Sequence, residues 1–361
     1  MPAVHQLLPA AVPYDAITRQ GFAWRELLRR WGYTSEIVSE HVHVDLLGEV
    51  HRLDRKARRL LDQGSVVLHY AVWSETANTA LKAKGPLALC YHNITPGELL
   101  RDFNPATAEM CDRGRAALAV FRGRIDALIT PSSYNATELR DAGIGEAAVV
   151  PLLIDVPDEV PRREPSREPV VVTVGRVVPN KRLEDVIKGF TLYQRHRAPE
   201  ASLVIVGSDI GFERYRDALN VLMARIGTRS VSFTGPISDQ ARNAWYDRAD
   251  AYISMSVHEG FCVPLIEALA HGVPVVARGA GAVPETLGGA GIVVDGHDFP
   301  LVAEALHELA SSQSTRSALY DAADRRLAEL RPEMLAPRIR SALGPLMDGR
   351  GDVSPTRRAR A

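Results

Sequence analysis

Short runs of β-branched residues alternate with helix-like segments along the whole chain, and this alternation constrains the fold most strongly. One such run, residues 170–174, is followed by Leu183, Val186, Ile187 and Phe190, whose spacing places them on one face of a helix. This alternation is typical of βαβ units, which build parallel sheets covered by helices. We therefore expect an α/β protein.

The pattern occurs in both halves of the chain. In the first half we expect strands at residues 3–8, 36–39, 65–70, 86–91, 126–130 and 147–151. In the second half we expect strands at residues 170–174, 202–206, 231–233, 251–255, 274–277 and 292–294. Two doubly wound domains that face each other bind ligands in the cleft between them, at the carboxyl ends of strands.

A proline-rich segment separates the two halves. Prolines 157, 161, 165 and 169 remove backbone donors and disfavour helix at each preceding residue. The chain of 361 residues is long enough for two domains. The divisions that we expect are an N-terminal Rossmann-like domain (1–156), a linker (157–169), a C-terminal domain (170–331), a helix packing back toward the N-terminal domain (332–347) and a disordered basic tail (348–361).

The composition argues against several classes of protein. With 43 Lys+Arg against 44 Asp+Glu, the chain lacks the basic field that a nucleic-acid-binding protein usually carries. No apolar stretch approaches the roughly 20 residues that a membrane-spanning helix needs. Three widely spaced cysteines without a C-x-x-C motif indicate neither a disulfide framework nor a zinc site. We expect a cytoplasmic protein.

One cluster of charge departs from this balance. Residues 52–59 read RLDRKARR, with five cations in eight positions. The simpler interpretation is a solvated helix face. The alternative is contact with anionic lipid headgroups, which would place the protein peripherally at the inner face of a membrane.

The spacing H-x-H-x-D of His41, His43 and Asp45 resembles that of some metal centres. Strand alternation would place all three side chains on one face, but no second group of ligands is evident in the sequence. We expect no metal there.

Two cations follow the strand at residues 170–174, where a ligand would bind. Gly175 gives the turn room, and Arg176 and Lys181 stand five residues apart ahead of a helix. Two cations placed in this way can hold an anion from both sides, although solvated loop cations would have the same spacing. Gly207 follows the next strand and would permit close backbone approach.

Two glutamates flank the start of a later helix. Glu259 precedes the helix and Glu267 lies inside it, with Pro264 suited to the first turn. The free amides at this helix start would face a bound phosphate. They belong to Gly260, Phe261, Cys262 and Val263. A carboxylate on each side of the phosphate would accept hydrogen bonds from sugar and ribose hydroxyls.

These motifs resemble the donor-binding domain of the retaining GT-B glycosyltransferases of family 4. The matching elements are the G-R-x4-K turn, the turns at Gly207 and Gly235, the E-x7-E motif and Val283-Pro284-Glu285. The resemblance covers about residues 168–300 closely and the first half more loosely. It implies two Rossmann-like domains with doubly wound parallel sheets, facing each other across a cleft.

The resemblance also implies roles for the donor-site residues. In the family the arginine and the lysine neutralise the donor diphosphate, which assigns that role to Arg176 and Lys181. The first glutamate contacts the transferred sugar and the second binds ribose hydroxyls, which assigns these roles to Glu259 and Glu267. The turn from Ile237 to Arg242 would hold the base.

The first half supplies candidates for the acceptor side. His92 and Asn93 follow the strand that ends at residue 91, and the family places a histidine near the transferred sugar. A lone histidine is more often structural, but this position makes His92 the catalytic candidate. Tyr14 and Asp15 occupy a loop that is glycine-rich in the family. Asp15 either caps the following helix or contacts an acceptor hydroxyl.

The sequence thus predicts a retaining hexosyltransferase that uses a UDP- or GDP-sugar. Its acceptor would be a hydroxyl of a glycan, a glycolipid or a secondary metabolite. No D-x-D motif is present, so we expect no metal or other cofactor. Two alternatives remain open: a sugar-nucleotide epimerase or phosphorylase of the same fold, and a non-catalytic sugar-nucleotide binding protein. A nicotinamide oxidoreductase is disfavoured because no G-x-G-x-x-G follows the first strand of either half.

Overall fold

Two all-parallel sheets form the framework of the protein in the computed structural model, which describes residues 2–13 and 15–347. The expected tail at residues 348–361 and the candidate Tyr14 lie outside the described residues. Within those residues no helix combines the length and the apolar character needed to cross a bilayer.

Among the described residues, seven strands and five α-helices build the N-terminal part of the first domain. The strands are β1 (Val4–Ala11), β2 (Ile37–Val42), β3 (His51–Arg52), β4 (Ser65–Tyr70), β5 (Leu87–Tyr91), β6 (Ala127–Thr130) and β7 (Ala148–Val149). The helices are α1 (Ala16–Arg30), α2 (Arg55–Leu61), α3 (Glu75–Lys82), α4 (Pro105–Ala117) and α5 (Ser133–Asp141). The strand order is β3-β2-β1-β4-β5-β6-β7. The edge strand β3 is too short to have been expected.

Six strands and seven helices build the second domain. The strands are β8 (Val170–Val174), β9 (Ser202–Val206), β10 (Val231–Phe233), β11 (Ala251–Ser254), β12 (Val275–Arg278) and β13 (Ile292–Val294). The helices are α6 (Leu183–His196), α7 (Glu213–Ile226), α8 (Asp239–Arg248), α9 (Val263–Ala270), α10 (Val283–Leu287), α11 (Phe299–Ser311) and α12 (Gln313–Glu329). The strands of this domain follow the order β10-β9-β8-β11-β12-β13. All six expected strands of this half are present, and the α/β fold is confirmed.

The apolar spacing of α6 explains how this helix covers the second sheet. Leu183, Val186, Ile187 and Phe190 are each at most 3% exposed and belong to one core cluster with residues of β8, β9 and α11. The helix therefore holds the turn that precedes it against the carboxyl end of β8. That turn carries the two predicted donor-site cations.

The chain finally returns to the first domain. Helices α13 (Pro332–Ala342) and α14 (Gly344–Met347) bring Leu335, Ile339 and Leu346 into one buried cluster with Val4 and Trp24. The hydroxyl of Ser65, at the start of β4, donates to the carbonyl of Leu346 at 2.8 Å. The last described residues are therefore part of the core of the first domain.

The chain turns after β2, and the basic run that follows forms part of an edge strand and a helix. Strand β2 ends at Val42, so His43 and Asp45 do not share a strand face with His41, and that expectation was wrong. The cause is that Nδ1 of His43 accepts the N–H of Asp45 at 3.3 Å and turns the chain. In the basic run, Arg52 belongs to β3, and the remaining cations lie on α2, which Asp54 caps.

The return of the C-terminal helix generates a stability prediction. Ile339→Ala should lower the free energy of unfolding of the first domain by about 2–5 kcal/mol, because it removes a fully buried side chain from that core. The control is Met334→Ala on the same helix, where the side chain is 56% exposed. We expect the control to change stability by no more than about 0.5 kcal/mol. Equal effects of both variants in urea unfolding would contradict the packing described.

Candidate active site

The turn after β8 is held close to the turn after β9 by two glycines. A Cβ atom on Gly207 would lie 1.9 Å from the carbonyl oxygen of Gly175, so no larger residue fits at position 207. Both glycines also have φ near 145°, a region that favours glycine. This close approach fixes the start of the segment that carries Arg176 and Lys181.

Lys181 and Glu259 form an ion pair at the carboxyl ends of β8 and β11. Nζ of Lys181 lies 2.5 Å from Oε1 of Glu259, and their side chains are 21% and 10% exposed. Burial works to lower the pKa of Lys181, but the carboxylate of Glu259 and its hydrogen bond outweigh that effect and raise the pKa. The lysine is therefore a permanent cation.

The loop that carries Glu259 is braced on both sides. The N–H of Val257 donates to the carbonyl of Asn180 at 2.9 Å, and the N–H of Ala282 donates to the carbonyl of Glu259 at 3.0 Å. A Cβ atom on Gly281 would lie 2.6 Å from that same carbonyl oxygen. The backbone thus holds the glutamate in place independently of its side-chain ion pair.

Arg176 is exposed beside this pair. It lines a small cavity together with Lys181, Ser254 and Ser256, and its guanidinium lies 5.6 Å from the ring centroid of Phe212. Within the described part of the chain, Arg176 makes no ion pair with a carboxylate. A guanidinium in this setting is available to an anion that enters the cleft.

The start of α9 presents backbone donors to the same region. Cys262 adopts a left-handed conformation with φ of 66°, and α9 begins at Val263. The N–H groups of residues 260–262 donate to no acceptor among the described residues. Free amides at a helix start attract anions, so this segment can bind phosphate oxygens.

Glu267 is held by three side chains, one of which comes from the other domain. Arg19 of α1 places Nη1 and Nη2 at 3.2 and 3.3 Å from Oε1 of Glu267, and Nη2 of Arg242 lies 3.4 Å from the same oxygen. Oε2 accepts the hydroxyl of Tyr246 at 3.1 Å. Burial raises the pKa of Tyr246 well above its usual value, so this hydroxyl keeps its proton.

Sequence reasoning singled out Glu267 but not its partners Arg19 and Tyr246. Arg19 is one of many arginines, and only the folded structure places it across the cleft from its partner. Ile237 precedes α8 and packs partly against the second-domain core. Arg242 also pairs with Asp239 on the same helix.

Two half-buried residues of the first domain lie opposite. His92 follows β5, and its Nε2 lies 2.9 Å from Nδ1 of His69. Burial lowers the pKa of His92 to about 4, so the ring is neutral near pH 7. Asn93 has φ of 69° and donates from Nδ2 to Oδ1 of Asn135 at 3.1 Å.

Asn93 and Asn135 join the two domains. Oδ1 of Asn93 lies 2.8 Å from Nε2 of His258, and Nδ2 of Asn135 donates to the carbonyl of Gly260 at 3.3 Å. Burial lowers the pKa of His258 to about 4, so the ring is neutral near pH 7. Because the amide oxygen of Asn93 only accepts, Nε2 of His258 carries the proton and donates it. Ser133 adds a further link, because its N–H lies 2.9 and 2.8 Å from the carboxylate oxygens of Glu285.

The remaining acceptor-side candidate among the described residues, Asp15, has a local partner. Oδ2 of Asp15 accepts the N–H of Thr18 at 2.8 Å and caps α1. Capping the helix is the first of the two roles expected for Asp15. Its contact with an acceptor hydroxyl stays a prediction. Ser132 likewise caps α5 by accepting the N–H of Asn135.

Comparison with known proteins identifies relatives of the chain. Residues 168–312 match the family described as Glycosyl transferases group 1. A phosphatidyl-myo-inositol mannosyltransferase of Propionibacterium freudenreichii is 30% identical over 288 residues, which cover 75% of this chain and 70% of that protein. A GDP-mannose-dependent alpha-(1-6)-phosphatidylinositol monomannoside mannosyltransferase of Mycobacterium tuberculosis is 34% identical over 152 residues, covering 39% of this chain and 38% of that protein.

Solved structures share the fold. HepE of Anabaena, solved with UDP and glucose, matches with a TM-score of 0.75 at 16% identity, covering 95% of this chain and 99% of that one. Sucrose-phosphate synthase of Thermosynechococcus elongatus matches with a TM-score of 0.73 at 17% identity, covering 96% and 99%.

Two parallel-sheet domains that meet at the carboxyl ends of their strands have the GT-B fold of these structures, so the expected fold is confirmed. The chain belongs to the glycosyl transferases of group 1 and is an enzyme that transfers a sugar from a nucleotide-sugar donor.

The contact between the domains generates a prediction at Gly260. A Cβ atom there would lie 2.5 Å from Cβ of Asn93 and 2.9 Å from Nδ2 of Asn135. Gly260→Ala should therefore push the domains apart at the site and lower transferase activity by at least about tenfold, since a misplacement of roughly 1 Å can cost more. Gly344→Ala, where a Cβ atom meets nothing within 4 Å, is the control. Wild-type activity in Gly260→Ala would refute the close contact.

Proposed function

We propose that this glycosyltransferase moves a mannosyl group from GDP-mannose to a hydroxyl of a glycolipid, with retention of the anomeric configuration. The observation that carries the proposal is the unpaired Arg176 beside the Lys181–Glu259 ion pair, with free amides at the start of α9. The two relatives named above are mannosyltransferases acting on inositol lipids, which supports mannose as the sugar and a lipid as the acceptor.

In this proposal the donor diphosphate lies between Arg176, Lys181 and the amides of residues 260–262. Charge grows on the leaving phosphate as the bond to the sugar breaks. Donors already fixed at that place stabilise the charge without reorganising, which is often the largest contribution to catalysis. Each charge-assisted hydrogen bond contributes roughly 1.5–3 kcal/mol.

Donor binding changes the partners of the buried ion pair. Lys181 would turn from Glu259 toward the phosphate, and Glu259 would accept hydrogen bonds from hydroxyls of the mannosyl group. Both charged side chains then keep a partner throughout.

On the nucleotide side, Glu267 would accept hydrogen bonds from the ribose hydroxyls. Arg19 and Arg242 balance its charge, and Tyr246 fixes the orientation of the carboxylate. The segment from Ile237 to Arg242 would border the base.

The acceptor hydroxyl would approach from the side of His92 and Asn93. By analogy with the family, it attacks the face that the phosphate leaves, and that phosphate takes its proton. Positive charge then develops on the sugar ring in the transition state. A neutral histidine beside the ring adds no repulsion to that charge, in keeping with the lowered pKa of His92.

A lipid acceptor would bring the enzyme to a membrane surface. The exposed cations of the basic run, Arg52, Arg55, Lys56 and Arg59, would then face anionic headgroups. Val44 and Leu47, in the segment between β2 and β3, are 68% and 52% exposed and could enter the headgroup layer.

The proposal is tested by an assay of the purified full chain with GDP-mannose, UDP-glucose and phosphatidylinositol vesicles. We expect mannosyl transfer from GDP-mannose at a rate at least about tenfold above that from UDP-glucose. A tenfold difference corresponds to about 1.4 kcal/mol of transition-state stabilisation. The NMR one-bond coupling of the anomeric carbon should show the same anomer in product and donor. Arg176→Ala should abolish most of the transfer, whereas Arg214→Ala, at an exposed position on α7, should not.

Three outcomes would contradict the proposal. An inverted anomer would exclude retention, and faster use of UDP-glucose would exclude GDP-mannose as the donor. Conversion of GDP-mannose at the same rate without vesicles would indicate an epimerase or hydrolase rather than a transferase.

A further inference from the structure

A chain of hydrogen bonds runs from His92 into the core of the first domain. Nε2 of His92 lies 2.9 Å from Nδ1 of His69, and Nε2 of His69 lies 2.9 Å from Oε1 of Gln6. Nε2 of Gln6 donates to the carbonyl of Gly21 at 2.7 Å. His69 and Gln6 are fully buried, on the neighbouring strands β4 and β1, and Gly21 lies on α1.

The carbonyl of Gly21 sets the direction of this chain. A carbonyl oxygen only accepts, so Gln6 must turn its amide nitrogen to Gly21 and its amide oxygen to His69. His69 must then carry its proton on Nε2. Burial lowers its pKa well below the usual value, so the ring is neutral and its Nδ1 has a lone pair. That lone pair must accept from Nε2–H of His92.

The direction determines which nitrogen of His92 carries the proton. With the proton on Nε2, Nδ1 of His92 has only a lone pair. No hydrogen bond among the described residues uses this nitrogen. It is not buried either, because the buried polar atoms without a partner do not include it. It is therefore accessible from the cleft as a hydrogen-bond acceptor.

We propose that His69 and Gln6 are positioning residues, which hold His92 as the Nε2–H tautomer so that its Nδ1 accepts a hydrogen bond from a sugar hydroxyl. This inference rests on the proposed function for the identity of the sugar and for its place beside His92. A lone pair directed at a hydroxyl makes its oxygen more electron-rich and stabilises positive charge on the ring. The opposite tautomer would donate an N–H to that hydroxyl and would destabilise the positive charge on the sugar ring.

The same region could instead be interpreted as a metal site. His69, Cys90 and His92 place one ligand atom each within 4.8 Å of one another. Burial raises the pKa of the Cys90 thiol to about 12, which opposes the thiolate that a metal requires. The 2.9 Å between the two histidine nitrogens is a hydrogen-bond distance. The hydrogen-bond chain therefore accounts for these residues without an ion.

The tautomer can be measured directly, without any substrate. Long-range ¹H–¹⁵N correlation spectra of the full chain labelled with ¹⁵N-histidine distinguish the two neutral tautomers, and His92→Gln identifies the signals of His92. We expect His92 to be neutral at pH 7 with its proton on Nε2. A proton on Nδ1, a charged ring, or a stoichiometric metal ion in the purified protein would overturn the proposal.

The effect on catalysis is measured with two variants and a matched control. His69→Phe and Gln6→Met remove the hydrogen-bond chain while keeping a side chain of similar size. The control His5→Phe replaces a different buried histidine, on β1, whose Nδ1 has no partner among the described residues. We expect His69→Phe and Gln6→Met each to lower kcat by at least about tenfold, since a wrong histidine tautomer alone can lower kcat by more than that. Their KM for the donor should change little, and His5→Phe should retain kcat.

The two failures are distinguishable. If GDP-mannose is not used but His92 carries its proton on Nε2, the proposed donor is wrong and the positioning role of His69 and Gln6 stands. If transfer occurs but kcat of the chain variants equals that of His5→Phe, the positioning role is wrong. Should the variants fail to fold, the tautomer in the wild-type protein still decides.

Discussion

The ion pair between Lys181 and Glu259 fixes the donor side of the cleft, because it ties the turn after β8 to the loop after β11. An ion of either sign costs several kcal/mol to bury without a partner, so neither segment can withdraw and leave the other charge alone. In the proposed function, a diphosphate sugar takes over both interactions, with its phosphate on the lysine and its hydroxyls on the glutamate. The ion pair thus joins the two groups that the donor would separate.

The first domain completes the site through contacts that tolerate little change. Gly260 leaves no room for a side chain beneath Asn93 and Asn135, and Arg19 reaches Glu267 from α1. Behind His92, the buried side chains of His69 and Gln6 connect the cleft to α1. The same helix therefore contacts Glu267 through Arg19, and its Gly21 carbonyl supports His92 through Gln6 and His69, so its position affects both.

The sequence predicted features that depend on local pattern. The apolar spacing of α6 and the β-branched runs of β8, β9 and β11 identify these elements, since their residues are buried by the period of the element itself. The sequence could not predict Arg19 or His69, because each acquires its partner only when distant segments meet. The role of Asp15 was ambiguous and the turn at His43 was not predicted, for a related reason: a polar side chain can bond its own backbone instead of a ligand.

The most direct test of the account is the affinity of the protein for GDP relative to GMP, measured by titration calorimetry. If Arg176, Lys181 and the amides of residues 260–262 hold the second phosphate, GDP should bind at least about tenfold more tightly, a difference of about 1.4 kcal/mol. Lys181→Ala should remove most of that difference, whereas Lys82→Ala, at an exposed position on α3, should preserve it. Equal affinities for GDP and GMP in the wild-type protein, or an unchanged ratio in Lys181→Ala, would contradict the account.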